Sequence, residues 1–191
     1  MKNTIRNTFV ILAIFVLFCT NVYSKERWVI DKNISKITFE VPVLFATNVK
    51  GEFKNINGFV EIDIEDQKNN KALLSVEIDS VESNYEKYRE LLLGPIFFDL
   101  KNNPIAVLDT KKFSYEDETD LALQIELTIK GISKIVETNL KVTSITNEIV
   151  KIFGYLEISR TDFQIGIGNW SNTTILKDKI KIKSNIFLIK E

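Results

Sequence analysis

Residues 121–130 read Leu-Ala-Leu-Gln-Ile-Glu-Leu-Thr-Ile-Lys, with an apolar side chain at every odd position and, from Gln124 onward, a polar one at every even position. Successive side chains of a β-strand point to opposite faces of its sheet. The alternation therefore predicts a strand with one apolar and one solvated face. A helix would instead repeat its apolar residues every three to four positions, which this segment does not do.

The same alternation recurs along most of the chain. Regular strands are predicted at 36–41, 60–65, 74–79, 121–130 and 180–188, and less regular ones at Trp28–Asp31, Val49–Phe53, Pro104–Phe113, Ile135–Val142 and Val150–Ile158. Polar breaks separate them at 55–58, 66–71, 116–120 and 143–147. Many strands at regular spacing predict a single all-β domain, an antiparallel sandwich or barrel.

One segment departs from this pattern. Residues 83–93 predict a short helix whose N-cap is Ser83 or Asn84. Gly94-Pro95 is expected to end it, with Gly94 in the left-handed conformation. Phe97 and Phe98 follow, and they would either line the interior or plug the space beneath the helix.

The N-terminal residues 1–24 have the composition of a secretory signal. Lys2 and Arg6 precede an apolar run over 9–18, which is shorter than the roughly 20 residues that span a bilayer. We therefore expect export to the periplasm and a folded domain over 25–191. Cys19 allows a second interpretation, a lipoprotein signal whose cysteine is lipidated, although the bulky Phe18 before it disfavours this.

Composition limits the chemistry of the exported domain. The chain has no histidine, and its one cysteine is Cys19. Zinc sites built on imidazole or thiolate, and nucleophiles that rely on them, are therefore not expected. We predict no metal and no cofactor. A hydrolase or isomerase that uses two carboxylates stays an alternative, and it would need acids such as Asp63, Asp79 or Asp99 to face the interior.

Charge and patterning also bear on partners. The net charge is −1, and Lys residues alternate with apolar ones instead of forming a basic stripe, which argues against nucleic-acid binding. Alternation alone does not say which face is inside, and an outer-membrane barrel would turn its apolar face to lipid. The helical insert at 83–93 and the lack of aromatic girdles favour a barrel that is not an integral membrane protein.

Several motifs resemble, in order, those of the YceI-like family of periplasmic polyisoprenoid-binding proteins. They are Trp28-Val29-Ile30-Asp31, Asn57-Gly58, Arg89-Glu90, Phe97-Phe98-Asp99, Asn103-Pro104, Leu127-Thr128-Ile129-Lys130-Gly131 and Ile158-Ser159-Arg160-Thr161-Asp162-Phe163. The family pattern usually has histidine where this chain has Ile34, Val43, Leu92 and Lys130, and often glycine in place of Gln164. The three apolar replacements would make the interior more apolar than usual.

The resemblance implies a lipocalin-like antiparallel barrel of about eight strands with an elongated apolar cavity. It also implies a non-catalytic protein, monomer or homodimer, that binds a polyisoprenoid or fatty amide and can exchange it with membranes. A filled core, as in an envelope stress or interaction module, stays an alternative. Under the resemblance the residues expected to contact lipid are Ile37, Phe39, Val41, Phe53, Ile62, Val76, Leu92, Phe97, Phe98, Leu108, Leu123, Ile125, Leu127 and Ile182.

Two arginines have competing interpretations. Arg89 would either contact a lipid head group through its paired donors or pair with Asp99 or Glu90 to fix the helix. Arg160 and Asp162 are expected to lock a turn at the end of a strand.

Overall fold

The computed structural model describes residues 25–45 and 47–191, and in these residues eleven strands form one antiparallel sheet that closes on itself. The strands are β1 Lys25–Ile30, β2 Lys36–Val41, β3 Val49–Phe53, β4 Ile56–Asp63, β5 Lys71–Glu77, β6 Val81–Ser83, β7 Ile105–Asp109, β8 Asp120–Ile129, β9 Ile132–Thr146, β10 Ile149–Ser159 and β11 Lys179–Lys190. The predicted signal segment 1–24, with Cys19, lies outside the described residues.

The eleven strands occupy eight positions around the closed barrel, because at three of these positions two short strands lie end to end. β1 and β2 lie end to end along β11, where Trp28 pairs with Lys190 and Phe39 pairs with Ile182. At the next position β4 pairs with β1 and β3 pairs with β2. At the position after that, β5 pairs with β4 and β6 pairs with β3. The remaining five positions are taken by β7 to β11 in chain order. The predicted eight-stranded antiparallel barrel is thus confirmed.

The alternation of β8 places its apolar residues inside as predicted. Leu123, Ile125 and Leu127 are buried, whereas Gln124 between them is exposed. Since neighbouring strands are in antiparallel register, the same parity holds from strand to strand around the barrel. The apolar faces therefore meet across the interior.

The helix differs from its prediction at both ends. It runs over α1 Glu86–Leu93, and its N-cap is Tyr85, which makes no side-chain capping bond. Ser83 belongs to β6 instead, and the Asn84 side chain accepts a hydrogen bond from the Lys50 N–H. Pairing of β6 with β3 therefore takes priority over helix capping in this segment.

The predicted left-handed residue at the end of the helix is also wrong. Gly94 has a φ of −71°, and the left-handed residue is Asp99, with a φ of 54°. The Asp99 carboxylate accepts hydrogen bonds from the side-chain amides of Asn102 and Asn103, which stabilises this turn locally. An aspartate tolerates the left-handed region better than most residues because of such local bonds.

Several predicted strand ends are wrong. The break expected at 55–58 is the start of β4, and Ile56 is fully buried. Gly58 lies so close to the backbone of Leu73 that no side chain would fit there. β7 ends at Asp109 and not at residue 113, whereas β9 continues to Thr146 through a predicted break. Within the described residues no helix is both long and apolar enough for a bilayer span.

Candidate functional site

A cavity of about 690 Å³ occupies one half of the barrel interior. This volume lies within the range of about 300–1,000 Å³ that small-molecule sites occupy. Its mouth is marked by the exposed residues Ile64, Gln67 and Glu118, which belong to the lining. Most of the wall is aliphatic. The predicted elongated apolar cavity is confirmed, and the alternative of a filled core is not supported.

A second cavity of about 140 Å³ lies in the other half, beneath α1. Its wall includes Val41 and Val49 of the barrel, Leu92 of the helix, and Trp170 and Leu176 of the segment after β10. The Phe97 ring packs against the Trp170 indole, with 5.9 Å between ring centroids. We call the two spaces the large and the small chamber.

Five side chains line both chambers and form the wall between them, namely Ile37, Phe53, Phe98, Ile129 and Ile182. The centroids of the Phe53 and Phe98 rings are 5.7 Å apart, and the rings meet edge to face. The Phe39 ring contacts both from the small-chamber side, at 5.7 and 6.3 Å. Phe98 is therefore part of a wall inside the barrel, and Phe97 covers only the small chamber.

All fourteen residues predicted to contact lipid line one or both chambers. Ten line the large chamber: Ile37, Phe53, Ile62, Val76, Phe98, Leu108, Leu123, Ile125, Leu127 and Ile182. Phe39, Val41, Leu92 and Phe97 line only the small chamber. The sequence pattern thus brings these residues into one interior, but in two compartments. Their contact with a lipid stays a prediction.

Sequence reasoning missed more than half of the lining residues. Among them are Trp28, Ile30, Leu74, Ala106, Ile152, Ile186 and Leu188. Parity could have identified most of these, because Ile186 and Leu188 share a strand face with Ile182. The aromatic residues near the mouth, Phe113 and Tyr115, lie outside any strand, and no periodicity indicates them.

Arg89 lines neither chamber. Its Nε donates to the Val81 carbonyl at 2.9 Å, and an Nη donates to the Asp79 carbonyl at 2.8 Å. The expected pairing with Asp99 or Glu90 is wrong, since main-chain carbonyls accept its hydrogen bonds. This geometry fixes α1 against the 79–81 segment. A head-group contact for Arg89 stays a prediction.

Arg160 lies at the end of the small chamber and is 1% exposed. Its guanidinium donates five hydrogen bonds of 2.8 to 3.1 Å to main-chain carbonyls, which belong to Ile165, Gly166, Trp170, Leu176 and Lys177. Burial lowers the pKa of Arg160, and the nearby Asp178 opposes this. The expected turn lock exists, but the partners of Arg160 are main-chain carbonyls of the 165–177 segment and not the Asp162 side chain.

The mouth of the large chamber carries carboxylates. Glu26, Asp63 and Glu118 belong to the lining, and no lysine or arginine of the described residues does. Burial raises the pKa of the neighbouring Tyr115, and the charges of Glu118 and Glu26 raise it further. The mouth of the large chamber is therefore negatively charged, and the interior beneath it is apolar.

Asp63 is buried and faces the interior, as the carboxylate-enzyme alternative requires. Its Oδ1, however, accepts hydrogen bonds from the main-chain N–H groups of Glu65 and Asp66, which is a turn-capping role. Glu26 is paired with Lys190 at 2.6 Å. Within 25–45 and 47–191, no cluster of three or more acidic, histidine or cysteine residues could hold a metal ion.

The positions that differ from the family's histidines have different environments. Val43 and Leu92 line the small chamber, whereas Ile34 is exposed. Lys130 donates from Nζ to the Gln164 carbonyl at 3.0 Å, and burial lowers the pKa of this lysine while Asp99 opposes the shift. Only two of the three apolar replacements therefore contribute to the interior.

A closed eight-stranded β-barrel around an apolar, ligand-sized cavity defines the class of this protein. The chain belongs to the YceI-like family, because the model of the YceI-like domain matches residues 28–188. Among curated protein sequences, none matches the chain.

Solved structures that share the fold include the following three. The chain resembles BcnA of Burkholderia cenocepacia with a TM-score of 0.75 and 23% identity, covering 83% of this chain and 98% of that one. It resembles a polyisoprenoid-binding domain of Saccharophagus degradans, implicated in plant cell wall breakdown, with a TM-score of 0.67 and 14% identity over 86% and 98%. It also resembles the YceI protein of Campylobacter jejuni, with a TM-score of 0.67 and 23% identity over 78% and 89%.

Proposed function

We propose that this protein binds one long-chain apolar molecule, an isoprenoid or a fatty amide, in the large chamber and carries or sequesters it in the periplasm without altering it. The observation that carries this proposal is the large chamber itself, about 690 Å³ of space with an aliphatic wall. Water in such a space finds few hydrogen-bond partners, so an apolar occupant is favoured.

The energetics suit a lipid tail. Each buried methylene contributes about 0.8 kcal/mol before the costs of ordering are subtracted. Two further observations support the proposal: membership of the YceI-like family, and a solved neighbour whose name describes a polyisoprenoid-binding domain. A non-catalytic role is consistent with the main-chain hydrogen bonds that occupy Asp63 Oδ1.

Extraction of the gently purified protein with organic solvent, followed by mass spectrometry, tests this proposal. We expect a long-chain isoprenoid or fatty amide in stoichiometric amount. Delipidated protein should then bind a prenol such as geranylgeraniol with a dissociation constant in the micromolar range or below. Protein that is recovered empty and binds neither prenols nor fatty amides would contradict the proposal.

A matched pair of variants on β8 tests whether the ligand lies in the large chamber. Leu123→Trp fills part of the large chamber and should weaken prenol binding at least tenfold. Gln124→Trp adds the same side chain to the exposed face of the same strand and should leave binding unchanged. Circular dichroism and thermal unfolding establish that both variants are folded. Equal affinities of the two variants would place the ligand outside the chamber.

A further inference from the structure

The wall between the two chambers is made of the side chains that line both of them. It consists of two aromatic rings, those of Phe53 and Phe98, and three isoleucines. A tail that enters at the Glu118 end would meet the two rings before it reached the small chamber. The wall is thus placed across the path of the tail.

The two rings are held in position from several directions. Phe98 lies in the turn after α1, where its N–H donates to the Leu92 carbonyl at 2.9 Å and the next residue, Asp99, donates to the Gly94 carbonyl at 2.9 Å. Phe53 lies on β3 opposite Ile37, within the sheet. The Phe39 ring packs on both from the far side. Neither ring can turn aside without disturbing this cluster.

The volumes translate into a tail length. If each non-hydrogen atom of a tail takes about 30 Å³, the share of one water molecule in liquid water, the large chamber holds on the order of 20 such atoms. By the same measure the small chamber, at about 140 Å³, holds on the order of five, or one isoprene unit. The large chamber alone therefore matches a tail of about four isoprene units.

We infer that Phe53 and Phe98 are chain-length-determining residues, which end the ligand tail at the wall and select tails of about four isoprene units. This inference rests on the proposed function and specifies the ligand of the same site. Longer tails would leave their excess length at the mouth, in water, where it adds nothing to affinity.

A series of prenols of increasing length tests the inference on the unmodified protein. Affinity should rise at least tenfold from farnesol, with three isoprene units, to geranylgeraniol, with four. It should then stay level, within about threefold, for geranylfarnesol, with five. A further tenfold rise at five units would overturn the inference. If no prenol binds, the inference is overturned, whereas the proposed function fails only if fatty amides do not bind either.

Variants then test the wall itself. Phe98→Ala joins the chambers, so geranylfarnesol should bind at least tenfold more tightly than geranylgeraniol. Phe113→Ala removes the same ring from the large chamber outside the wall and should give no such preference. Phe98→Leu gives a smaller opening and serves if the alanine variant does not fold. Equal length preferences in the Phe98 and Phe113 variants would overturn the inference.

A second substitution shows where the extra tail goes. Val49 lines only the small chamber, so Val49→Phe fills part of that chamber without touching the wall. It should leave geranylgeraniol binding unchanged in the parent protein. In the Phe98→Ala background it should abolish the preference for geranylfarnesol. A preference that persisted with the small chamber filled would place the extra unit elsewhere and contradict the role of the wall.

Discussion

The Phe39 ring lies directly on the backbone of Gly51, its partner on the neighbouring strand, and leaves no room for a Cβ atom at position 51. This contact lets the ring lie flat over β3 and reach both Phe53 and Phe98. Glycine is thus required at position 51 by a side chain on the next strand, and not by its own backbone conformation. The aromatic wall depends on this absence of a side chain.

Gly51→Ala should therefore destabilise the barrel by about 1–3 kcal/mol, the usual cost of overpacking a buried site. Urea unfolding measures the change. Phe39→Leu in the same chain should recover part of the loss, since the shorter side chain frees the space above position 51. A double-mutant cycle gives the coupling between the two sites. Additive effects would show that the ring and the glycine do not interact.

Arg160 is the second residue on which the stability of the fold depends strongly. Five main-chain carbonyls share its guanidinium, and replacement by methionine would leave them without a donor in a buried region. Each unsatisfied buried group costs about 1–3 kcal/mol, so a loss of at least about 3 kcal/mol is expected for Arg160→Met. The 165–177 segment should also become sensitive to proteolysis.

Arg27→Met is the matched control for Arg160. Arg27 pairs with Glu61 and Glu191, but its side chain is 44% exposed. Exposed pairs contribute about 1 kcal/mol or less, so the control should change the free energy of unfolding little. If both methionine variants unfolded at the same urea concentration, the network around Arg160 would have no special weight.

Acid stability should depend on Asp178. Burial by itself raises the pKa of this carboxylate, but hydrogen bonds from the hydroxyl and N–H of Thr161, a hydrogen bond from Ser159 and the charge of Arg160 together lower it. The Thr161 hydroxyl is 2.7 Å from Asp178 Oδ1. Because the pKa is lower in the folded state, the unfolded chain binds the proton first, and stability falls as acid is added.

The loss should begin below about pH 4, where an unperturbed aspartate takes up its proton. In this range the stability difference between the parent protein and Asp178→Asn should shrink, by less than about 1 kcal/mol, because Asp178 is partly solvated. Urea unfolding at pH 7 and at successively lower pH measures it. Asp162→Asn removes a charge from the same turn without touching Thr161. A difference that stayed constant with pH would contradict the role of Asp178.

Much of the fold could be predicted from the alternation alone. The parity of residues such as Leu123 and Ile125 fixes which side chains share a face, because a strand has only two faces. Whether that face encloses space or meets an opposite wall does not follow from parity, since both arrangements bury the same residues. The family resemblance predicted the hollow, and the structure confirms it.

The remaining features depend on contacts between distant parts of the chain. Phe53 and Phe98 meet only because the turn after α1 folds into the barrel, which no local pattern encodes. The acceptors of Arg160 come from a segment with little regular structure. Gln164 lies in the left-handed region, with a φ of 52°, and this agrees with the glycine expected there from the family. The special conformation at residue 164 could thus be predicted, but the contact between Phe53 and Phe98 and the acceptors of Arg160 could not.

The charge at the mouth predicts which head groups the protein accepts. Glu26, Asp63 and Glu118 line the large chamber, and none of the described lining residues is basic. Glu26 is paired with Lys190, so the repulsion of an anionic head group comes chiefly from Asp63 and Glu118. Two like charges about 4 Å apart repel by about 1 kcal/mol in water and more at lower polarity. Geranylgeranyl phosphate should therefore bind at least tenfold more weakly than geranylgeraniol, and salt should narrow the difference by screening.

Glu118→Gln should reduce this discrimination, because it removes one of the carboxylates that an anionic head group would approach. Glu157→Gln, on the outer face of β10, removes an equal charge away from the mouth and should leave the discrimination as it was. Titration of each protein with the alcohol and the phosphate, at low and at physiological salt, measures both effects. Tighter binding of the phosphate by the parent protein would mean that the head group lies away from these carboxylates, with the lipid oriented in the opposite direction.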